Sequence, residues 1–306
     1  LSRISSTKGL ENLRAKEIRR LHIRAYAKVN LFLEVVGKRA DGFHEIETVF
    51  AQVDLSDGLA FSATDSCGID LKCAGLPVPA GKENIVYKAV QLLRTRYRLT
   101  KGVRIELEKK IPAGSGLGGG SSDAAAALRA LNTLWRLGLD EKELRSLALE
   151  LGSDVPFFLL GGVALGRGRG EILQPVKCKK QLHLVLVFPH LAASTRSVYE
   201  AFDRDAAVRR VRSSRPICDA LGSGDIERLR SSIFNRLKKP ALKLYPRLRS
   251  FERNLKRVVR RPLGFSGSGS TFFVICESRR EAAETGNLLK RAGIDCLLVR
   301  TLSPRS

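Results

Sequence analysis

The chain has 306 residues, 43% of them hydrophobic, and a formal net charge of +23. That length suits one large domain or two around a sizeable core, and no apolar run reaches the length of a membrane span. Six cysteines without a Cys-x-x-Cys pair and four histidines outside metal-ligand spacing argue against a zinc site and a disulfide framework.

The positive charge suits nucleic acid, an anionic surface or anionic small molecules. Basic residues are densest over 204–215 and 228–261, but aromatic residues are not interleaved with them as base stacking would require. A solvated basic surface accounts for them equally well, so nucleic acid is not favoured as a partner. Residues 1–21 are basic, with serines near the start and no apolar segment, and the chain lacks methionine. This reads as a processed or trimmed end, either an organellar transit remnant or a simple truncation. The location is then cytoplasmic for a bacterial chain and plastid or other organelle stroma for a eukaryotic one, the extension weighing toward the organelle.

Residues 23–35 alternate with period two, which predicts a strand with its odd positions on the core. Arg24, Tyr26, Lys28, Asn30 and Glu34 share the other face. That face meets solvent, or presents an ammonium and an amide to one ligand. Asp41-Gly42 marks a turn into a second strand reaching about Asp54. His44 lies exposed at the turn exit, where a lone histidine is usually incidental. Residues 56–82 are loop-rich with two short strand candidates. Glu83–Arg96 reads as a helix with Asn84 in its first turn, and Val103–Glu108 as a strand.

Residues 111–122 hand that strand to an alanine-rich helix through a run of glycine and serine. Ala124, Leu128, Leu131 and Trp135 share one helical face. Ser121 or Ser122 is the expected N-cap and Gly138 the expected stop. Such a loop collects backbone N–H groups at the positive end of a helix, where a polyphosphate binds, and glycine lets the backbone approach it closely. A single glycine pair would be a turn or linker; this run, flanked by strand and helix, favours phosphate. It lacks the Gly-Lys-[Ser/Thr] ending of a Walker loop and the acidic ribose ligand of a Rossmann unit.

Asp140-x-x-Glu143 resembles a capping box for a helix ending at Gly152. Residues 152–158 start a short helix with Pro156 in its first turn and Asp154 at or beside the cap, a common structural role for aspartate. Residues 163–171 form a strand entering a glycine-rich turn. The pattern changes near Pro175: Leu182–Phe188 is a buried strand, Thr195–Phe202 starts a helical region reaching Arg261, and 263–271 is a second glycine–serine loop. Strand Phe272–Cys276, helix Arg279–Ala292 and strand Cys296–Leu302 close the chain. The expected division is a basic extension (1–21), an N-terminal domain (22–175) and a C-terminal domain (176–306), of α+β class.

Five motifs stand in order: Ala27–Leu33, Asp41-Gly42-Phe43-His44-Glu45, Pro112–Ala126, Gly152–Phe158 and Ser266–Thr271. Together they resemble the GHMP kinases, over about Ile23 to Leu302. The resemblance implies an α+β, two-domain GHMP kinase fold, with a ribosomal S5 domain 2-like N-terminal half and a ferredoxin-like C-terminal half. It implies ATP-dependent phosphorylation of a hydroxyl on the methylerythritol part of a cytidine diphosphate-linked small molecule, a step of non-mevalonate isoprenoid synthesis. ATP and Mg2+ come with it, without a membrane partner. Carried over by motif, Asp154 and Lys28 are catalytic. Pro112, Ala113, Gly114, Ser115, Gly116, Leu117, Gly118, Gly119, Gly120, Ser121 and Ser122 cradle the triphosphate, with Asn84 on the adenine side. Phe43 and Tyr199 sandwich the cytosine and His44 hydrogen-bonds it. Asn30 and Thr195 meet the methylerythritol end, and Gly267, Ser268 and Gly269 the substrate phosphates. No acidic residue stands out as a dedicated metal ligand. Phosphoryl transfer needs positioning and charge neutralisation, which an aspartate near the hydroxyl and a lysine beside it can supply.

The chain departs from the family pattern in three places. Asp123 stands where asparagine is usual, Phe43 where tyrosine is commoner, and Asn235-Arg236-Leu237-Lys238 replaces Asn-Asp-Leu-Glu, reversing two charges. Two rival readings are another GHMP small-molecule kinase, of mevalonate or homoserine type, and a non-catalytic basic nucleic-acid-binding protein. The second would lose Lys28 or Asp154, and both are present.

Overall fold

The structure, a computed structural model, describes residues 20–205 and 210–303. Its first half contains β1 (Arg20–Lys38), β2 (His44–Thr64), β3 (Ile69–Gly75), α1 (Ile85–Arg96), β4 (Gly102–Lys109), α2 (Gly119–Leu134), α3 (Glu141–Leu151), α4 (Val155–Leu160), β5 (Val163–Arg167) and β6 (Ile172–Pro175). The second half contains β7 (His183–Val187), α5 (Thr195–Asp203), α6 (Arg215–Ser223), α7 (Ile226–Ser232), β8 (Phe234–Asn235), α8 (Lys238–Leu244), α9 (Pro246–Val258), β9 (Gly264–Phe265), β10 (Phe272–Cys276), α10 (Arg279–Arg291) and β11 (Cys296–Arg300). Of the basic extension, residues 1–19 lie outside the described residues, and Arg20 and Leu21 already belong to β1. No helix among the described residues is long and apolar enough to cross a membrane.

One sheet runs β3-β4-β2-β1-β8, with β5 on β2 and β6 on β5; a second runs β11-β7-β10-β9. In β4 the buried Val103, Ile105 and Leu107 alternate with exposed Arg104, Glu106 and Glu108, so one sheet face is apolar. Helices α1, α2 and α4 cover it through Val90, Leu93, Leu128, Leu131, Phe157 and their neighbours. A second core lies between the two halves and draws Val29 and Leu31 from β1, Leu184 and Leu186 from β7, and Phe273 from β10.

Several expectations change. Strand β2 continues past Asp54 to Thr64, because Gly58–Thr64 pairs with β4 and contributes Leu59 and Phe61 to the core. The polar face of β1 is not solvent: Lys28, Asn30 and Glu34 are buried, since the second half of the chain packs over it and β8 pairs with it at Phe32–Phe234. Helix α2 is capped by Gly118 in the left-handed conformation (φ 70°), not by Ser121 or Ser122, and Asn84 caps α1 from outside its first turn. The same α2 stops at Leu134, short of Gly138, where Arg136 turns to φ 54°. Its whole alanine run Ala124–Ala127 is buried, not one face alone.

The two reversed charges have partners. Arg236 meets the buried Glu34 at 2.6 Å, and Lys238 meets Glu252 at 2.8 Å. Acid elsewhere in the fold neutralises the base in this segment.

Candidate active site

A cavity of 1040 Å³ runs between the halves. Its floor is the loop between β4 and α2, where Gly114, Gly116 and Gly118 take φ of 62°, 78° and 70°. A Cβ on Gly118 would meet the Phe158 ring at 2.7 Å and the Lys28 Cε at 3.1 Å, so this close approach needs glycine. The carbonyls of residues 114–117 are tied to groups outside the loop. Gly114 O accepts from Ala193 N, Ser115 O from Thr271 N, Leu117 O from Lys28 N, and Gly116 O from the Ser266 hydroxyl at 2.8 Å. Among the described residues no acceptor takes the N–H groups of residues 114–121. Carbonyls out and amides free at a helix start make an anion cradle.

Above it, Lys28 Nζ lies 3.4 Å from Asp154 Oδ2 and donates to Asn30 Oδ1 at 2.6 Å. Asn30 Nδ2 donates to Thr48 Oγ1 at 2.8 Å, whose hydroxyl donates to Phe32 O. The lysine is therefore held by a chain of side chains on β1 and β2, over the Phe50 ring at 5.5 Å. Asp154 sits at the N-cap of α4 but its carboxylate makes no cap hydrogen bond and is 34% exposed. The structural role expected for aspartate there is unfilled, and the carboxylate is available to a ligand.

At the far end, His44 is not exposed: its side chain is 9% accessible. Its ring stacks on Tyr199 at 4.7 Å and meets Phe202 edge-on. His44 thus covers one face of Tyr199, and Phe43 lies at the rim of the same cavity under the Arg169 guanidinium at 4.5 Å. Burial, with Asp154 adding to it, pushes the Tyr199 phenol well above its ordinary range. Thr195 and Ser268 share a 2.8 Å hydroxyl–hydroxyl hydrogen bond, which joins α5 to the second glycine loop.

Lys28, Asn30, Phe43, His44, Asn84, Asp154, Thr195, Tyr199, Gly267, Ser268 and most of the loop line this one cavity. Leu117, Ser122 and Gly269 do not: Leu117 packs into the core between the halves, Ser122 N is spent on Gly118 O, and Gly269 backs onto the Phe265 ring. Asn84 is on the wall, but its side chain is committed to Val86 N at 2.9 Å and Pro79 O at 2.6 Å. Sequence reasoning missed Thr48 and a buried cluster below the loop, of which it named only Asp123, as a departure, and it gave Ser266 no role of its own within the motif Ser266–Thr271. In that cluster Lys109 binds Asp57, and Asp123 at 2.7 Å, while Asp57 Oδ1 accepts from Lys110 N and Ile111 N. Burial pushes the Asp123 carboxyl up to about 8, with Lys109 opposing and Asp57 reinforcing it. Charged residues in a strand full of charges carry no signal for such a cluster.

Residues 84–162 match the model of the GHMP kinases N terminal domain. A 4-diphosphocytidyl-2-C-methyl-D-erythritol kinase of Pelotomaculum thermopropionicum is 40% identical over 281 residues, covering 92% of this chain and 98% of that protein. The chain belongs to the 4-diphosphocytidyl-2-C-methyl-D-erythritol kinase family. A crystal structure of a 4-(cytidine 5'-diphospho)-2C-methyl-D-erythritol kinase superposes with a TM-score of 0.76 at 37% identity, over 92% of this chain and 99% of that one. The L. major mevalonate kinase structure shares the fold at 20% identity, with a TM-score of 0.73 over 95% and 99% of the two chains.

Proposed function

We propose that this chain transfers the γ-phosphoryl group of ATP to the hydroxyl of the methylerythritol part of 4-diphosphocytidyl-2-C-methyl-D-erythritol. The observation that carries this is the order of parts along one cavity: free amides at one end, the Lys28–Asp154 pair in the middle and the Tyr199–His44 pocket at the other. The amides of 114–116 and 118–121, which line the cavity, hold the phosphates. Asp154 orients the acceptor hydroxyl and takes its proton as the new P–O bond forms. Lys28 neutralises charge developing on the transferred group. Asn30 holds the lysine in place, a role that its two side-chain hydrogen bonds support better than direct contact with the substrate.

ATP brings Mg2+, which favours hard oxygen donors and keeps several waters. The uncapped Asp154 carboxylate and the Ser121 hydroxyl, both on the cavity wall, fit that donor set. The ion would spread the charge of the phosphates.

The test is ADP release with the cytidine substrate beside mevalonate and homoserine. Turnover confined to the cytidine substrate supports the reading. Faster turnover of mevalonate or homoserine overturns it in favour of another GHMP kinase.

A further inference from the structure

Asp203 ends α5 one turn beyond Tyr199, so the two share a helix face. Both reach His44. The Asp203 Oδ1 lies 2.7 Å from His44 Nε2, and its Oδ2 lies 2.7 Å from Lys38 Nζ. The imidazole is thereby fixed by the ring of Tyr199 on one face, the edge contact with Phe202 and the carboxylate at one nitrogen. Burial would raise the Asp203 carboxyl, but the Lys38 and His44 hydrogen bonds more than offset this and hold it below its ordinary value. An ionised carboxylate only accepts, so Nε2 must carry a proton. In a neutral imidazole the other nitrogen, Nδ1, is then a bare acceptor. Among the described residues Nδ1 has no hydrogen-bond partner, and His44 and Asp203 both line the cavity.

A bare ring nitrogen discriminates between pyrimidines. Cytosine presents an exocyclic amine, whose N–H can donate to Nδ1. Uracil presents a carbonyl oxygen at the same position, and two lone pairs would face each other. We propose that Asp203 is a positioning residue that fixes the His44 tautomer with Nδ1 as acceptor, so that the pocket selects a 4-amino pyrimidine over a 4-oxo one. This rests on the cytidine reading of the cavity.

The test is a calorimetric titration of the full chain with CDP and with UDP, with a non-hydrolysable ATP analogue saturating the glycine loop. Wild type is expected to bind CDP about tenfold or more tighter than UDP, the scale of one made against one unmade buried hydrogen bond. Asp203→Asn, whose amide can donate or accept, should bring the two affinities within about threefold, and Asp203→Glu should restore the difference. An Asp203→Asn protein that keeps the wild-type ratio overturns the proposal. Wild type that binds neither nucleotide, or both alike, overturns the cytidine reading itself. A second measurement stands even if the variant fails to fold: ring nitrogen NMR of His44 in the wild type. A proton on Nε2 and none on Nδ1 is expected, and a protonated Nδ1 overturns the proposal.

Discussion

Two lysine–aspartate groups flank the same glycine loop in opposite surroundings. Lys28 meets Asp154 across 3.4 Å at the cavity, and the aspartate is one-third exposed and caps nothing. Lys109 is held below the loop between Asp57 and Asp123, all three at most 3% exposed by side chain, although Lys109 and Asp123 border the cavity. The residue types are the same, but exposure and coordination separate Asp154 from Asp57; Asp123, whose Oδ1 is buried without a hydrogen-bond partner, stands between them. An incompletely satisfied carboxylate can exchange partners with a substrate. A carboxylate saturated by a lysine and two backbone amides holds its loop and can do little else.

That contrast predicts three outcomes, taken from the largest effect down. Asp154→Asn should lower turnover about 10²–10⁴-fold while leaving the melting temperature near wild type, because no cap bond is lost. A rate close to wild type would reduce Asp154 to a bystander. Asp57→Asn should do the reverse. It removes one of the two carboxylates on the buried Lys109 and leaves Asp123 as its counter-charge, so chemical denaturation should show a loss of about 1–3 kcal/mol, with turnover of the remaining folded protein little changed. A stable variant with lost turnover would erase the distinction between the two groups.

Asp123→Asn should have the smallest effect, and a pH signature. The folded-state pKa of Asp123, about 8, lies above the unfolded value, which is about 4. The folded protein therefore binds more protons across that window, and its stability falls as pH rises through it. The variant should remove this slope. Melting temperatures measured from pH 5 to 9 check this, and parallel curves for the two proteins would refute it.

The loop over 111–120 was legible because glycine density, a charged strand before it and an alanine run after it all point one way. The capping box of α3 was equally plain, and both its hydrogen bonds are present. The second half of β2 was not: Ser56-Asp57-Gly58 reads locally as a turn, and only pairing with β1 and β4 makes it strand. The polar face of β1 stayed open between solvent and ligand for a related reason. Period two distinguishes two faces but cannot say that the loop carrying Ser266, more than two hundred residues later, covers one of them. His44 looked incidental by spacing alone; the family resemblance gave it a role, and α5 brings Tyr199 and Asp203 against it.

The outward-tied carbonyls of the glycine loop have a kinetic consequence. Ala193, Thr271 and Ser266, all from the second half of the chain, hold three consecutive peptide oxygens, and Lys28 N holds the fourth. Lifting the loop from a spent nucleotide would break these bonds together and open the seam between the halves. A nucleotide leaving sideways, past the exposed Pro79, Glu83 and Gly120 at the cavity edge, would break none of these bonds.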